Sequence, residues 1–130
     1  VVGWPDGIKM IQKMCTPHNT NAFALKIAEA ILTSPELLHT LVQNFNEGRK
    51  YLIETLDANG YQHKGEAGNF LFIKPKSDAE TVVSNMKQNR GILIKAYPNV
   101  GEYGNCLRVS IGEKKYMETF MQALLAEDTI

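Results

Sequence analysis

Residues 91–112 read GILIKAYPNVGEYGNCLRVSIG, two apolar segments separated by a loop that contains two glycines. Successive side chains of a strand lie on opposite faces. The apolar residues of LRVSI, residues 107–111, therefore face a core, while Arg108 and Ser110 face the other way. Because the loop over residues 98–105 is short, the two segments are predicted to pair as antiparallel strands.

The isolated arginine of this stretch is the strongest candidate for a binding residue. A guanidinium held on a rigid strand presents a planar fork of N–H donors that fits a carboxylate or a phosphate. Arginines are also common on the solvated face of a sheet. The alternation alone therefore leaves both interpretations of Arg108 open.

Three helices are predicted ahead of the first strand. They run from Pro5-Asp6 to about Met14, from about Asn21 to Thr33, and from Ser34-Pro35-Glu36 to about Asn59. Ser34 is a favourable cap, followed by proline in the first turn, and Gly60 is a typical stop. Gly48 falls in the apolar stripe of the third helix and predicts a close contact with another helix.

The second half of the chain alternates strands and helices. The predicted elements are strands over 61–64 and 69–73, a helix from a capping box at 77–80 to about 89, a strand over 92–97, the Arg108 strand and a final helix. Short connections favour antiparallel pairing. The predicted fold class is therefore α+β, a small and mainly antiparallel sheet packed against helices in the order ααα-β-β-α-β-β-α.

The helix over residues 21–33 is apolar almost all round. Only Lys26 and Glu29 are charged, and they lie three residues apart on one stripe. Such a helix needs cover on most of its sides. The sequence therefore predicts either that a segment outside this chain covers it or that it is the central helix of a small compact fold.

Size and composition fit one domain over residues 1–130. Hydrophobic residues make up 44% of the chain, and 14 Lys and Arg balance 14 Asp and Glu. Zero net charge gives no global support for a nucleic-acid or anionic-membrane partner. No segment approaches the roughly 20 apolar residues of a membrane span. The start at Val1, without signal-peptide features, is expected of a piece of a longer chain.

Other chemical motifs are weak. Cys15 and Cys106 lie far apart and are predicted to be reduced thiols of a cytosolic protein. His39 and His63 belong to no cluster with metal-ligand spacing and are interpreted as solvated. No Ser-His-Asp arrangement has motif support. The glycines of the 98–105 loop form no phosphate-binding motif and predict a flexible hairpin connection.

Four segments together resemble one known family. They are CTPHNTN at 15–21, AGNFLF at 67–72, GILIKAYP at 91–98 and CLRVSIG at 106–112. Their order and spacing are similar to the C-terminal small domain of a fold-type I, pyridoxal-phosphate-dependent aminotransferase of class I/II. The nearest subgroup is the one that includes histidinol-phosphate aminotransferase. The resemblance covers nearly the whole chain.

The resemblance implies roles for three substrate-binding residues. Arg108 would pair with the substrate carboxylate or an equivalent anionic group, and Asn69 would approach the substrate pocket. Lys95 stands where the family often has the arginine of GILVRPY, so the charge is kept and the bidentate fork is lost. From the residues alone, Lys95 as an exposed structural lysine and Asn69 as a turn or strand-edge residue remain open.

Residues 17–21 of this chain resemble the family segment that follows the cofactor lysine and lies near the domain boundary. His18 replaces a residue that is commonly aromatic, after Pro17. Asn19 and Asn21 can also be interpreted as turn and cap residues, and their residue type favours this second interpretation.

The resemblance implies pyridoxal phosphate as the cofactor of the full-length enzyme, bound by a large domain that this chain lacks. No lysine here lies in the family's serine-rich lysine motif, which would precede Val1. The chain alone is therefore expected to bind no cofactor and to be inactive, with no catalytic, cofactor-binding or metal-binding residue.

The implied partners are an amino donor, which is an amino acid or an amino-alcohol phosphate, a 2-oxo acid acceptor and a second subunit of a cytoplasmic homodimer. Neither nucleic acid nor membrane is expected. Two alternatives remain open: a stand-alone regulatory domain that binds a small anion, and the small domain of a related pyridoxal-phosphate decarboxylase or lyase.

Overall fold

The computed structural model describes residues 3–14, 20–65 and 67–129. The helices are α1 (Pro5–Lys13), α2 (Ala22–Leu32), α3 (Pro35–Ala58), α4 (Ala79–Arg90) and α5 (Lys114–Glu127). The strands are β1 (His63–Lys64), β2 (Phe70–Ile73), β3 (Lys95–Tyr97) and β4 (Cys106–Ser110), and a 3₁₀ turn covers Gly101–Tyr103. The predicted α+β class and the order ααα-β-β-α-β-β-α are confirmed.

The chain divides into two compact units, Val1–His39 and Thr40–Ile130. The first unit holds α1, α2 and the start of α3. The second holds the rest of α3, the four strands, α4 and α5. The boundary falls inside a helix, and the expectation of one domain over residues 1–130 stays a prediction.

In the first unit, α2 begins at the cap that its sequence predicts. The side-chain oxygen of Asn21 accepts hydrogen bonds from the backbone N–H groups of Phe23 and Ala24, at 2.8 and 3.3 Å. Lys26 donates to Glu29 across one turn at 2.7 Å. Asn21 is thus a capping residue, and the only two charges of α2 pair with each other.

The rest of α2 is apolar and exposed. No residue of the helix is buried in the described chain, and Phe23 and Leu32 are 82% and 70% exposed. Burying one such side chain stabilises a protein by roughly 1.5 to 3 kcal/mol. In the described chain, α2 is therefore not the centre of a core.

In the second unit, the strands form one antiparallel sheet in the order β1-β2-β4-β3. Strand β3 starts at Lys95, three residues later than the sequence predicts. Gly91 adopts a left-handed conformation with φ of 65°, and the Ile92 N–H donates to the Met86 carbonyl at 3.0 Å. Because the residues after α4 first close the end of that helix, the strand begins late.

The core lies between one face of the sheet and the second unit's helices. Along β4 the alternation buries the predicted Leu107 and Val109 and leaves Arg108 half-buried. Along β2 one side-chain set is buried and the other is half-buried. The fully buried side chains of this core are Leu52 and Leu56 of α3, Leu71 and Ile73 of β2, Val82 and Met86 of α4, Leu107 of β4, and Met121 and Leu124 of α5; Cys106 of β4 is fully buried as well. Cys106 is a free thiol, and burial raises its pKa.

Gly48 marks a close contact, but its partner is not a helix. An added Cβ would lie 1.9 Å from the carbonyl oxygen of Gly112, in the segment that leads into α5. Gly48 is buried, whereas Leu38 and Leu41 of the same stripe are 38% and 43% exposed. The contact with a second helix was therefore a wrong prediction, and backbone approach explains the glycine.

The helix α4 is capped by Asp78 rather than by the predicted Ser77. The Asp78 carboxylate accepts the backbone N–H of Thr81 at 2.9 Å, and this bond lowers the pKa of Asp78. Ser77 is engaged elsewhere, because its N–H and its hydroxyl donate to Asp128 at 2.8 and 2.6 Å. The Lys76 N–H donates to the same carboxylate at 2.9 Å.

Asp128 is the one buried charged residue in the described part of the chain, at 4% exposure. Burial opposes ionisation, but the hydrogen bonds from Ser77 and from the Lys76 N–H outweigh it and lower the pKa of Asp128. The carboxylate therefore fixes the end of α5 to the segment that precedes α4.

Replacing Asp128 by asparagine is expected to lower the free energy of unfolding at pH 7 by about 2 kcal/mol. A folded-state pKa below the ordinary 3.8 gives stability that is complete above that value and is lost as pH falls through the lowered pKa. Urea titrations of both proteins from pH 7 to pH 3 measure this. The difference should shrink at the acid end, and a constant difference would contradict ionic anchoring.

No helix in the described ranges has the length and apolar character needed to cross a membrane.

Candidate functional site

The sheet face opposite the core carries a row of cations. The register pairs Lys64 with Phe72, Phe72 with Arg108, and Arg108 with Lys95, so the four residues lie in one line across the strands. Adjacent strands are about 4.8 Å apart. None of the four strands contains Asp or Glu. Positive charge is thus concentrated on this face although the chain is neutral.

Arg108 lies half-buried at the centre of this cationic row. Its guanidinium carbon is 4.1 Å from the centroid of the Phe70 ring, and Phe70 contacts Phe72 edge-on at 5.4 Å. Within the described ranges, the guanidinium has no ion pair or hydrogen bond. The cation is therefore held by an aromatic face while its N–H donors stay available for an anion.

Aromatic rings also accompany the two lysines of the row. The Lys95 ammonium lies 5.1 Å from the centroid of Tyr97, whose ring contacts Phe72 at 5.6 Å. The Lys64 ammonium lies 5.9 Å from the centroid of Tyr103. Both lysines are exposed, so each can turn toward an anion at little cost.

A groove of about 510 Å³ opens beside β4. Residues 92–95, residues 108–110 and the first half of α5 line it. Arg108 and Lys95 are the two cationic residues among those that line it, and Ser110 is a polar residue beside them. An open groove with two cations and an apolar wall suits a small organic anion.

The structure brings together two of the three predicted substrate-binding residues. Arg108 and Lys95 are register partners on neighbouring strands. Asn69 is exposed ahead of β2, does not line the groove, and uses its backbone carbonyl to accept the Ile111 N–H at 2.9 Å. Lys64 was missed, because its place in the row depends on the pairing of β1 with β2.

The remaining candidates do not extend the site. Pro17, His18, Asn19 and Cys15 lie outside the described residues. His63 is not solvated as predicted. Its Nε2 lies 3.0 Å from an Asp57 oxygen, and its side chain is 18% exposed.

Metal and phosphate-loop chemistry find no support in the described part of the chain. It contains no group of three His, Cys, Asp or Glu side chains that could hold a metal ion. The segment from Pro98 to Asn105 connects two antiparallel neighbours, β3 and β4, through the 3₁₀ turn. It is therefore a hairpin connection, and no helix N-terminus follows it that could bind a phosphate.

The lysines of the chain do not fit a covalently bound aldehyde cofactor. A lysine that carries such a group is activated by desolvation or by a neighbouring charge in an enclosed site. All eleven lysines of this chain are exposed. Among the described residues, no lysine therefore lies in an enclosed site of this kind.

The family model for "Aminotransferase class I and II" matches residues 5–124. The chain belongs to this aminotransferase family. Among curated relatives, it is similar to histidinol-phosphate aminotransferases of Bacillus licheniformis, with 29% identity over 117 residues, and of Moorella thermoacetica, with 28% over 123 residues. These alignments cover 90% and 95% of this aminotransferase chain, but 32% and 31% of the relatives.

Solved structures show the same fold. A candidate aminotransferase from Burkholderia pseudomallei superimposes with a TM-score of 0.71 at 19% identity, covering 95% of this chain and 38% of that one. A candidate histidinol-phosphate aminotransferase from Erwinia carotovora atroseptica gives 0.65 at 20% identity, covering 76% and 28%. This aminotransferase chain thus spans about a third of the length of the proteins that it matches.

Proposed function

We propose that this chain is the C-terminal small domain of a longer pyridoxal-phosphate-dependent aminotransferase, and that Arg108 binds the anionic group of the substrate. The observation that supports this role is the guanidinium itself, held 4.1 Å from the Phe70 ring centroid without an ion-pair partner in the described chain. Family membership supports the reaction class.

In this proposal, Arg108 donates two parallel N–H bonds to a carboxylate or phosphate of the amino donor. Such a charge-assisted contact contributes about 1.5 to 3 kcal/mol. Lys95 adds a second positive charge at the same groove but has no planar fork, so it strengthens binding without fixing orientation. Asn69 remains a proposed contact that would reach the substrate from the β2 side.

The remainder of the longer protein would supply the cofactor and its lysine. Pyridoxal phosphate, when bound there, supplies the electron sink for amino transfer. The small domain would close over the substrate, exclude water and hold the donor in one orientation. The exposed apolar surface of α2 is expected to be covered by that remainder.

The proposed whole protein is a cytoplasmic, biosynthetic homodimer. It would transfer an amino group between an amino acid or an amino-alcohol phosphate and a 2-oxo acid. The names of its relatives make histidinol phosphate the first donor to test.

The full-length protein provides the test. We expect the coding sequence ahead of Val1 to encode a domain with the cofactor lysine, and the purified protein to bind pyridoxal phosphate and to transfer amino groups from histidinol phosphate to a 2-oxo acid. A full-length protein that binds small anions but neither pyridoxal phosphate nor amino donors would instead support the stand-alone regulatory domain. Release of carbon dioxide from an amino acid would instead support the related pyridoxal-phosphate decarboxylase.

A further inference from the structure

We infer that Arg49 is a positioning residue for Arg108, acting through the β1–β2 connection and Phe70. The inference rests on the proposed function for its kinetic consequence, while its structural consequence can be measured separately. Arg49 lies on α3 and takes no part in the cationic row.

Arg49 fixes both ends of the connection that precedes β2. One terminal nitrogen of its guanidinium donates to the Gly68 carbonyl at 2.6 Å, and the other donates to the Gly65 carbonyl. A charged donor forms stronger hydrogen bonds than a neutral one, and the planar fork allows both bonds at once. The connection is thus attached to a helix of the core rather than held by its own turn alone.

Gly65, the first residue of the connection, also lies close to the start of β2. Gly65 has a φ of 129°, and a Cβ at this position would lie 2.7 Å from the Phe70 carbonyl oxygen. A shift of the Gly65 backbone therefore moves the backbone of Phe70. Gly65 and Phe70 therefore move together.

Phe70 transmits this position to the proposed substrate-binding cation. Its ring lies under the Arg108 guanidinium, and its edge-on contact with Phe72 holds it on the sheet face. An arginine side chain has many accessible rotamers when nothing restricts it. By fixing Phe70, Arg49 limits the orientations that are open to the Arg108 guanidinium.

The test replaces Arg49 by glutamine in the full-length protein, with Lys50→Gln as the matched control. Lys50 is its neighbour on α3, and its replacement removes the same charge. Within the described ranges, its ion-pair partner is Glu54, at 3.9 Å. Nuclear magnetic resonance of ¹⁵N-arginine-labelled protein reports the guanidinium N–H signals. The Arg108 signal is the one that is missing from the spectrum of Arg108→Lys protein. In the unaltered protein, the ring current of Phe70 displaces this signal.

We expect Arg49→Gln to remove at least half of this displacement and to raise KM for an anionic amino donor about tenfold, with a smaller change in kcat. Lys50→Gln should change neither by more than twofold. Simple loss of folded protein would lower kcat and leave KM and the signal position unchanged. If Arg49→Gln fails to fold, Arg49→Lys, which keeps one of the two bonds, should give an intermediate shift.

The outcomes separate the two ideas. An unchanged Arg108 signal in folded Arg49→Gln protein overturns the positioning role, whatever the activity. A changed signal in a protein that transfers no amino groups supports the positioning role and contradicts the proposed function.

Discussion

Arg108→Ala in the full-length protein is expected to lower kcat/KM for the amino donor about 100-fold, which corresponds to about 2.7 kcal/mol of transition-state stabilisation. Alanine removes the whole planar fork from the centre of the cationic row. Lys95 cannot replace it, because an ammonium on a flexible stem does not fix the orientation of a carboxylate. Steady-state kinetics with histidinol phosphate and with a monocarboxylate amino acid measure the effect.

Two further variants make this result specific. Arg108→Lys keeps the charge and should recover about tenfold of the lost kcat/KM. Arg90→Ala is the matched control, because Arg90 is partly exposed and pairs with Glu127 at 2.7 Å outside the groove lining. If Arg108→Ala stays within twofold of the unaltered protein, Arg108 is not the substrate anchor.

Gly48→Ala is expected to be the most destabilising single substitution in the second unit, at about 4 kcal/mol. The added Cβ would lie 1.9 Å from the Gly112 carbonyl oxygen and 3.0 Å from the carbonyl carbon of Glu113. Both neighbours are backbone atoms, so no rotamer change can relieve the contact. Instead, the segment that leads into α5 must move, and the core contacts of that helix weaken with it.

A second helical glycine supplies the control. Gly7 lies in α1 with nothing within 4 Å of an added Cβ, so Gly7→Ala should stabilise its helix by about 0.5 to 1 kcal/mol. Chemical denaturation followed by circular dichroism compares the two variants. Equal effects for both would mean that the close approach at Gly48 does not restrict its side chain.

Much of the fold could be predicted because its signals are local. Asn21 caps α2 with its own side chain, and Gly60 ends α3 in a left-handed conformation with the N–H of Tyr61 donating to the Leu56 carbonyl at 3.0 Å. The alternation of apolar residues in β4 placed Arg108 on the face opposite the core. Each of these features depends on residues within about one helical turn.

The wrong predictions depend on contacts between distant parts of the chain. Ser77 stands where a helix cap is expected, but its N–H and its hydroxyl donate to Asp128, which lies 51 residues away in the sequence. Gly48 has the sequence of a helix contact, but its neighbour is the Gly112 carbonyl. A local pattern shows that a residue needs a partner and does not show which partner is near.

The candidate site was predicted only in part for the same reason. Arg108 and Lys95 could be paired because a short connection joins their strands. Lys64 and Arg49 could not be added, because the first requires the β1–β2–β4 register and the second requires the position of α3 relative to the β1–β2 connection.

The segregation of charge on the sheet has a kinetic consequence. The strands carry three cations and no acidic residue, so the electrostatic potential at this face of the sheet is positive beyond contact distance. Anions that diffuse nearby are drawn to one side of it. At about 0.1 M salt this attraction fades within about 10 Å, so binding of a small anion to this face is expected to become slower as ionic strength rises.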